Sequence, residues 1–184
     1  LFTSPFIPLV FQGEEWAAST PFYYFTSHPE KDLGEAVTQG RQREYSEFGW
    51  EEEIPNPQDI ETFEASRIQW KERDEAGHAE LLNWYKALIQ IRKTWPELIN
   101  GDRDSVRIEY DEQDAWLKIR RGRVIVICNT GTEDIVVDAA QMHKANVLLK
   151  SSDAIVINSD SVKLPGESVV IYCSEENEVT NRSL

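Results

Sequence analysis

Two adjacent carboxylates followed by an indole are the side chains of this sequence best suited to act on a substrate. Glu14, Glu15 and Trp16 come directly after Gly13, at the end of a short apolar run. If that run is a parallel strand, its carboxyl end is where barrel enzymes hold their active-site side chains. Because neighbouring residues of an extended chain point to opposite sides, at most one of the two carboxylates faces a given substrate bond. The alternative is a purely structural ion pair.

A flat aromatic face beside those carboxylates could stack on a sugar ring. Trp16, just past the apolar run, is the candidate for this contact among the six tryptophans. Trp84 and Trp95 occur at helical spacing and are expected in a core, as is the aromatic run over residues 22–25. The sequence therefore nominates Trp16, together with the two carboxylates, as substrate-binding residues, with core packing as the alternative for the indole.

No other group of residues forms a recognisable catalytic or metal-binding set. Arg41 and Arg43 could bind a carboxylate or sugar hydroxyls, but Glu44 and Glu47 nearby offer ordinary ion pairs. The sequence contains no Ser-His-Asp order, glycine-rich phosphate loop or metal-ligand motif. The three glutamates at residues 51–53 are typical of a solvated loop. The sequence thus predicts no catalytic residue, no metal ligand and no cofactor within this chain.

Charge and hydropathy limit the partners of the chain. Its 184 residues contain 33 Asp and Glu against 19 Lys and Arg, for a formal net charge of −14. Such a chain repels a phosphate backbone, so no nucleic-acid partner is expected. The longest apolar run, residues 124–128, is far shorter than the roughly 20 residues of a membrane helix, so no membrane partner is expected either. Cys128 and Cys173 lie in apolar runs and are expected as buried thiols in a reducing cytoplasm.

The element expected to position the candidate site is a buried strand over residues 8–11, a short continuous apolar run. Polar helices are predicted over residues 35–48 and 62–66, and an amphipathic helix over 79–94. A parallel strand needs neighbours, yet no second run of this type precedes the helices. Residues 1–100 are therefore expected to hold the last β/α unit of a parallel structure.

This orphan strand has consequences for the isolated chain. The sequence begins without Met and without the basic segment of a secretory signal, and we expect it to be a piece of a longer chain. A strand without neighbours exposes hydrogen-bonding edges and apolar faces. Residues 1–11 are therefore expected to be displaced, disordered or paired with a second copy, which would be a route to self-association.

After residue 104 the sequence changes to short β-branched runs separated by turn residues. The pattern is typical of an antiparallel β-sandwich, here over residues 104–175, followed by a flexible polar tail at 176–184. The predicted fold class is thus α+β. The seven predicted strands cover residues 106–110, 115–120, 124–129, 135–138, 145–149, 154–157 and 168–173.

A family likeness is carried by residues 3–22, which include the Gly-Glu-Glu-Trp run, together with residues 24–28, 40–45, 55–59 and 81–89. These segments resemble the α-amylase superfamily, glycoside hydrolase family 13, and within it the maltooligosyltrehalose trehalohydrolases. The first segment is similar to the surroundings of the eighth strand of the superfamily's (β/α)8 barrel, and the last to its final barrel helix. The resemblance implies the last β/α unit of such a barrel, followed by the β-sandwich as a C-terminal domain.

The resemblance further implies a cytoplasmic hydrolase that acts, without metal or cofactor, on maltooligosyltrehalose or a related α-glucan. The bond cleaved is the α-1,4 bond next to the terminal trehalose. The superfamily's nucleophile, acid/base and stabilising carboxylate follow the fourth, fifth and seventh strands, so none falls in this chain, and the chain alone is expected to be inactive. Only Gly13, Glu14, Glu15 and Trp16 match a position at the rim of the active site. A glycogen branching enzyme, a glucan-binding module and a structural accessory domain remain the alternatives.

Overall fold

The computed structural model describes residues 1–49, 54–139 and 145–174. The predicted glutamate loop at 51–53 and the predicted tail at 176–184 lie outside the described residues. The chain divides into two compact units. The helical unit is Val10–Asn83, and the β unit combines Leu1–Leu9 with Trp84–Leu184.

The helical unit is built from helices and loops. The two α-helices that lie entirely within it are α1, Lys31–Glu47, and α2, Ile60–Ala65. α1 begins at Lys31, before the predicted start at residue 35, and it therefore includes Gly34. Gly34 is buried, and a Cβ there would come within 3.2 Å of the Gln58 side chain. This glycine therefore marks a close contact of the helix with a loop.

A long helix, α3, spans His78–Thr94 and is followed by the short α4, Pro96–Ile99. The prediction of a helix over residues 79–94 is confirmed. Pro96 does end it, and also starts the next helix, because proline is suited to the first helical turn. No residue of α3 is fully buried. Its wide apolar stripe is therefore only partly covered by other residues.

Residues 8–11 form no strand in the structure, contrary to the expectation from their apolar run. The nearby side chains are open to solvent, since Ile7 is 92% exposed and Leu9 is 87% exposed. A strand requires a partner for its backbone groups, and no strand of the described residues pairs with this segment. The residues before it are held by side chains instead: Arg92 donates to the carbonyl oxygen of Ser4 at 2.9 Å. The segment is thus displaced from any sheet, as expected for a strand without neighbours.

The β unit contains two antiparallel sheets, in agreement with the predicted class. The strands are β1 Val106–Asp111, β2 Trp116–Arg121, β3 Val124–Asn129, β4 Ile135–Asp138, β5 Asn146–Lys150, β6 Val156–Ile157, β7 Ser161–Leu164 and β8 Ser168–Cys173. The five-stranded sheet has the order β1-β2-β3-β8-β5, and the three-stranded sheet the order β4-β7-β6. The strand β7 is absent from the seven predicted strands because turn residues on both sides leave only a short run.

The core of the β unit has two layers. Between the sheets, Ile127 and Tyr172 of the larger sheet pack with Val162 and Leu164 of the smaller one. Burial raises the pKa of Tyr172 to about 12. The opposite face of the larger sheet is covered by apolar side chains of α3 and α4, with Leu98 fully buried. β3 is therefore buried on both faces, which explains its unbroken apolar sequence.

None of the described helices is long and apolar enough to cross a membrane. The described residues likewise contain no cluster of three or more His, Cys, Asp or Glu side chains able to hold a metal ion.

Candidate functional site

A tight turn presents the carboxylates of the candidate site. Gly13 is buried with a positive φ of 87°, a 3₁₀ helix spans Glu14–Trp16, and Ala17 is left-handed. A Cβ on Gly13 would come within 2.8 Å of the Ala18 side chain, so both the conformation and the contact require glycine. The carboxylates therefore lie on a helical turn, and the alternation expected for an extended chain does not apply to them.

The two carboxylates have different surroundings. Glu14 is exposed, and its carboxylate accepts a hydrogen bond from the N–H of Phe11 at 3.0 Å. Glu15 is half-buried, and its Oε2 is enclosed with no hydrogen-bond partner among the described residues. An enclosed carboxylate oxygen without a donor is energetically costly. Glu15 is thus the carboxylate of this pair that lacks a donor in the described part of the chain.

Trp16 is a packing residue in this structure. Its side chain is only 3% exposed, and its ring lies against Trp70 with centroids 5.4 Å apart. Its carbonyl oxygen is 2.6 Å from Nδ1 of His78, and because a carbonyl can only accept, that nitrogen is the donor. Trp70 is 62% exposed, so it is the indole of this pair that offers a free face. The sequence has no signal that distinguishes these two tryptophans.

A second contact fixes the loop that follows the turn. The Glu72 carboxylate accepts hydrogen bonds from the N–H of Ser19, at 3.1 Å, and from the Ser19 hydroxyl. Together with the bond from His78 to Trp16, it ties residues 14–19 to residues 72–78. Sequence reasoning misses Glu72 and His78, because each meets its partner across more than fifty residues of chain.

Acidification is expected to release the contact between Ser19 and Glu72. The hydrogen bonds donated by the Ser19 hydroxyl and N–H lower the pKa of Glu72 below its ordinary 4.5. Since the pKa in the folded state is the lower one, the contact contributes fully above the unfolded pKa and is lost as the pH falls through the folded value. We expect the Ser19 amide shift in NMR spectra to follow this acid titration. Glu72→Gln should abolish the response and the control Glu75→Gln preserve it, whereas a flat Ser19 shift in the wild type would contradict the contact.

A cavity of about 340 Å³ opens beside the turn, and Glu14 and Gly13 form part of its wall. Phe11 and Phe22 line it as well, with their rings edge to face at 5.1 Å. Both rings are about half exposed, so the predicted packing within residues 22–25 leaves aromatic faces open. A carboxylate beside open aromatic faces can bind the hydroxyls and the apolar face of a sugar.

Arg41 is held mainly by aromatic side chains. Its guanidinium lies 4.5 Å from the centroid of Tyr24 and 5.1 Å from that of Tyr45. It also donates to the Tyr45 hydroxyl at 2.9 Å, while the predicted ion pair with Glu44 is long, at 4.0 Å. Cation–π contacts of this kind stabilise a partly buried arginine. The tyrosines, 17 and 4 residues away, were not evident as its partners from the sequence.

Comparisons with known proteins find relatives that align with almost the whole of this chain. No family model matches it. It is 39% identical over 170 residues to a maltooligosyltrehalose trehalohydrolase of Rhizobium sp., and 35% identical over 174 residues to one of Mycobacterium tuberculosis. These alignments cover 92% and 94% of this chain. They cover only 28% and 29% of the relatives, so the chain spans less than a third of the proteins it matches.

Parts of larger solved structures have the same fold as this chain. A Salmonella typhimurium protein described as a candidate alpha amylase superposes with a TM-score of 0.76 at 23% identity, covering 95% of this chain and 29% of that one. An alpha-amylase from H. orenii gives a TM-score of 0.56 at 15% identity, with 95% and 33% covered. The α+β arrangement of this chain therefore recurs within larger amylase-type proteins.

Proposed function

We propose that this chain forms the C-terminal part of a glycoside hydrolase of the maltooligosyltrehalose trehalohydrolase type. More than nine-tenths of its length is homologous to such enzymes. The observation that carries this proposal is the 39% identity over 170 residues to the Rhizobium enzyme. The alpha-amylase-type neighbours support it at the level of fold. In this proposal residues 1–100 complete a catalytic (β/α)8 barrel, and residues 104–175 form the domain that follows it.

The proposed reaction is hydrolysis of the α-1,4 bond next to the terminal trehalose of maltooligosyltrehalose, which releases trehalose. Retaining glycosidases need a carboxylate nucleophile and a carboxylic acid on either side of that bond, about 5 Å apart. We assign those groups to the parts of the relatives that this chain does not span. Glu14 and Glu15 then contribute at the rim of the site, where the enclosed oxygen of Glu15 receives a donor from the rest of the enzyme or from its substrate.

The exposed apolar surface of the chain supports this assignment. The apolar run at residues 8–11 resembles a barrel strand, and Ile7 directly precedes it. Ile7 and Leu9 are nevertheless almost fully exposed, and Phe11 is 54% exposed. Isolated chains seldom leave such a segment open without a partner. In the longer enzyme these side chains would be covered by neighbouring strands. In the isolated chain they are the surface through which we expect any self-association.

The chain alone is expected to release no trehalose from maltooligosyltrehalose, because it lacks both reacting carboxyl groups. The Rhizobium relative, assayed in parallel by chromatography of the released sugar, is expected to turn over. The proposal would be contradicted if the purified chain released trehalose and the double variant Glu14→Gln/Glu15→Gln did not. That result would mean that these two carboxylates are themselves the catalytic pair.

A glucan-binding module is the second candidate, favoured by the open faces of Phe11, Phe22 and Trp70. It requires no carboxylate from outside the chain. It differs from the first candidate in one respect: a binding module would be dispensable for turnover by a longer enzyme, whereas the end of a barrel would not. Cys128 and Cys173 are thiols and form no disulfide, and a reducing cytoplasm is the compartment we propose for either function.

A further inference from the structure

A second cavity of the helical unit lies away from the candidate site. It has a volume of about 450 Å³ and is lined by α1 on one side and the loop around residues 56–58 on the other. Pockets of 300–1,000 Å³ are typical of small-molecule sites. We call it the polar cavity, because its wall includes Thr38 and Gln39 of α1 and Asn56 and Gln58 of the loop.

The polar cavity provides hydrogen-bonding groups without net charge. Its two charged lining residues, Lys31 and Glu35, are exposed and form an ion pair at 3.7 Å, so their charges offset each other. The other polar side chains are amides, a hydroxyl and the His28 imidazole. Amides and hydroxyls both donate and accept hydrogen bonds. That combination matches the hydroxyl groups of a neutral sugar and lacks the unpaired cation that a phosphate requires.

The wall is built by contacts that fix its amides. Oε1 of Gln58 accepts from the N–H of His28 at 3.1 Å, and Oδ1 of Asn56 accepts from the N–H of Gln58 at 3.1 Å and from the Thr38 hydroxyl at 2.9 Å. The missing side chain of Gly34 allows Gln58 to pack directly against α1. These bonds orient the loop before any ligand binds, which lowers the entropic cost of binding.

One amide of this wall is open to the cavity and has no partner among the residues that the structure describes. Gln39 is exposed, and its side chain makes no hydrogen bond within the described part of the chain. Nε2 of Gln58 also has no partner among the described residues, but it is enclosed and cannot be reached from the cavity. Gln39 is therefore the amide of the wall that is available to a sugar hydroxyl.

We propose that the polar cavity binds a neutral carbohydrate unit, separate from the carboxylate turn at residues 14–16. The class of ligand follows from the uncharged amide and hydroxyl wall. The inference rests on the proposed function only for the choice of sugar, an α-1,4-linked glucan, so a longer substrate would touch the chain at two places. Gln39 is the residue that contacts the sugar hydroxyls.

Titration of the ¹⁵N-labelled chain with maltotriose tests this site. We expect chemical shift changes at the side-chain amide of Gln39, with a dissociation constant in the millimolar range. Gln39→Ala should weaken binding roughly three- to tenfold, the effect of one lost hydrogen bond, and it should fold normally because alanine favours an exposed helical position. The matched control Gln69→Ala, an exposed amide of the same unit outside the cavity, should leave the dissociation constant unchanged.

Each other outcome of the titration overturns the site. Shift changes confined to residues outside the cavity wall would place the sugar elsewhere. Equal dissociation constants for the wild type and Gln39→Ala would show that this amide makes no contact, and an absence of shifts up to tens of millimolar maltotriose would show that no sugar binds. Because the titration requires no turnover, its failure removes the cavity proposal and leaves the trehalose-release experiment unaffected.

Discussion

Arg121→Met is expected to destabilise the β unit by about 3–5 kcal/mol, the cost of leaving several buried groups unpaired. The Arg121 side chain is only 2% exposed and donates to four carbonyl oxygens, those of Thr3, Ser4, Leu98 and Asn100. Burial, and next the charge of Arg92, lower the pKa of Arg121. Methionine matches much of its length but donates nothing, so the four carbonyls lose a donor together.

The loss of Arg121 should be visible as a lower midpoint of urea unfolding and as faster hydrogen exchange at the amides of β3. Arg107→Met is the matched control, because Arg107 is exposed and bonds only to the nearby carbonyls of Asp104 and Val106. We expect that control to change stability by less than about 0.5 kcal/mol. Equal exchange rates in the two variants would show that residues 1–6 are not anchored by Arg121.

Gly166→Ala is expected to cost about 3 kcal/mol, at the upper end of the range for overpacking. A Cβ on Gly166 would overlap the backbone carbonyl of Thr132. The obstacle is backbone, so a rotamer change cannot relieve it. The same corner is tied by the N–H of Glu167, which donates to the carbonyl of Gly131 at 2.8 Å, and by the Asn129 amide, which donates to the carbonyl of Pro165 at 2.9 Å.

Gly40→Ala is the control for Gly166→Ala, and we expect it to change the stability in the opposite direction. Gly40 lies inside α1, and a Cβ there would meet nothing within 4 Å. Alanine in a helix interior is more favourable than glycine by up to about 1 kcal/mol, so this variant should be slightly stabilised. The thermal midpoints of the two variants should therefore lie on opposite sides of the wild type. A Gly166→Ala midpoint equal to that of the wild type would contradict the close approach.

One sequence signal had opposite outcomes at two places in the chain. The apolar runs at residues 8–11 and 124–128 are both unbroken, and both lie in segments that the sequence predicts to be strands. The second run is buried in β3, because the smaller sheet and the α3–α4 segment cover it. The first run has no such cover among the described residues. The apolar pattern indicates that a segment must be covered on both faces. The side chains that cover it come from distant parts of the chain, so the local sequence does not show whether they are present.

The candidate site shows the same limit. The choice of Glu14, Glu15 and Trp16 as substrate-binding residues rests on their residue types and on the resemblance, and it stays a prediction. Their geometry could not be predicted, because it depends on the left-handed conformation of Gly13 and on contacts from Glu72 and His78. The long α3 helix was predictable to within a residue, since its apolar period is local and extends over several turns.

The central claim is that this chain is equivalent to the matching part of a maltooligosyltrehalose trehalohydrolase. The most direct measurement is trehalose release by a chimera in which the 28% of the Rhizobium enzyme aligned with this chain is replaced by residues of this chain. We predict a soluble chimera that releases trehalose at a rate within tenfold of the Rhizobium enzyme, because a barrel end of the same fold restores the rim of the site. A chimera that is folded and monodisperse but releases no trehalose would contradict the claim.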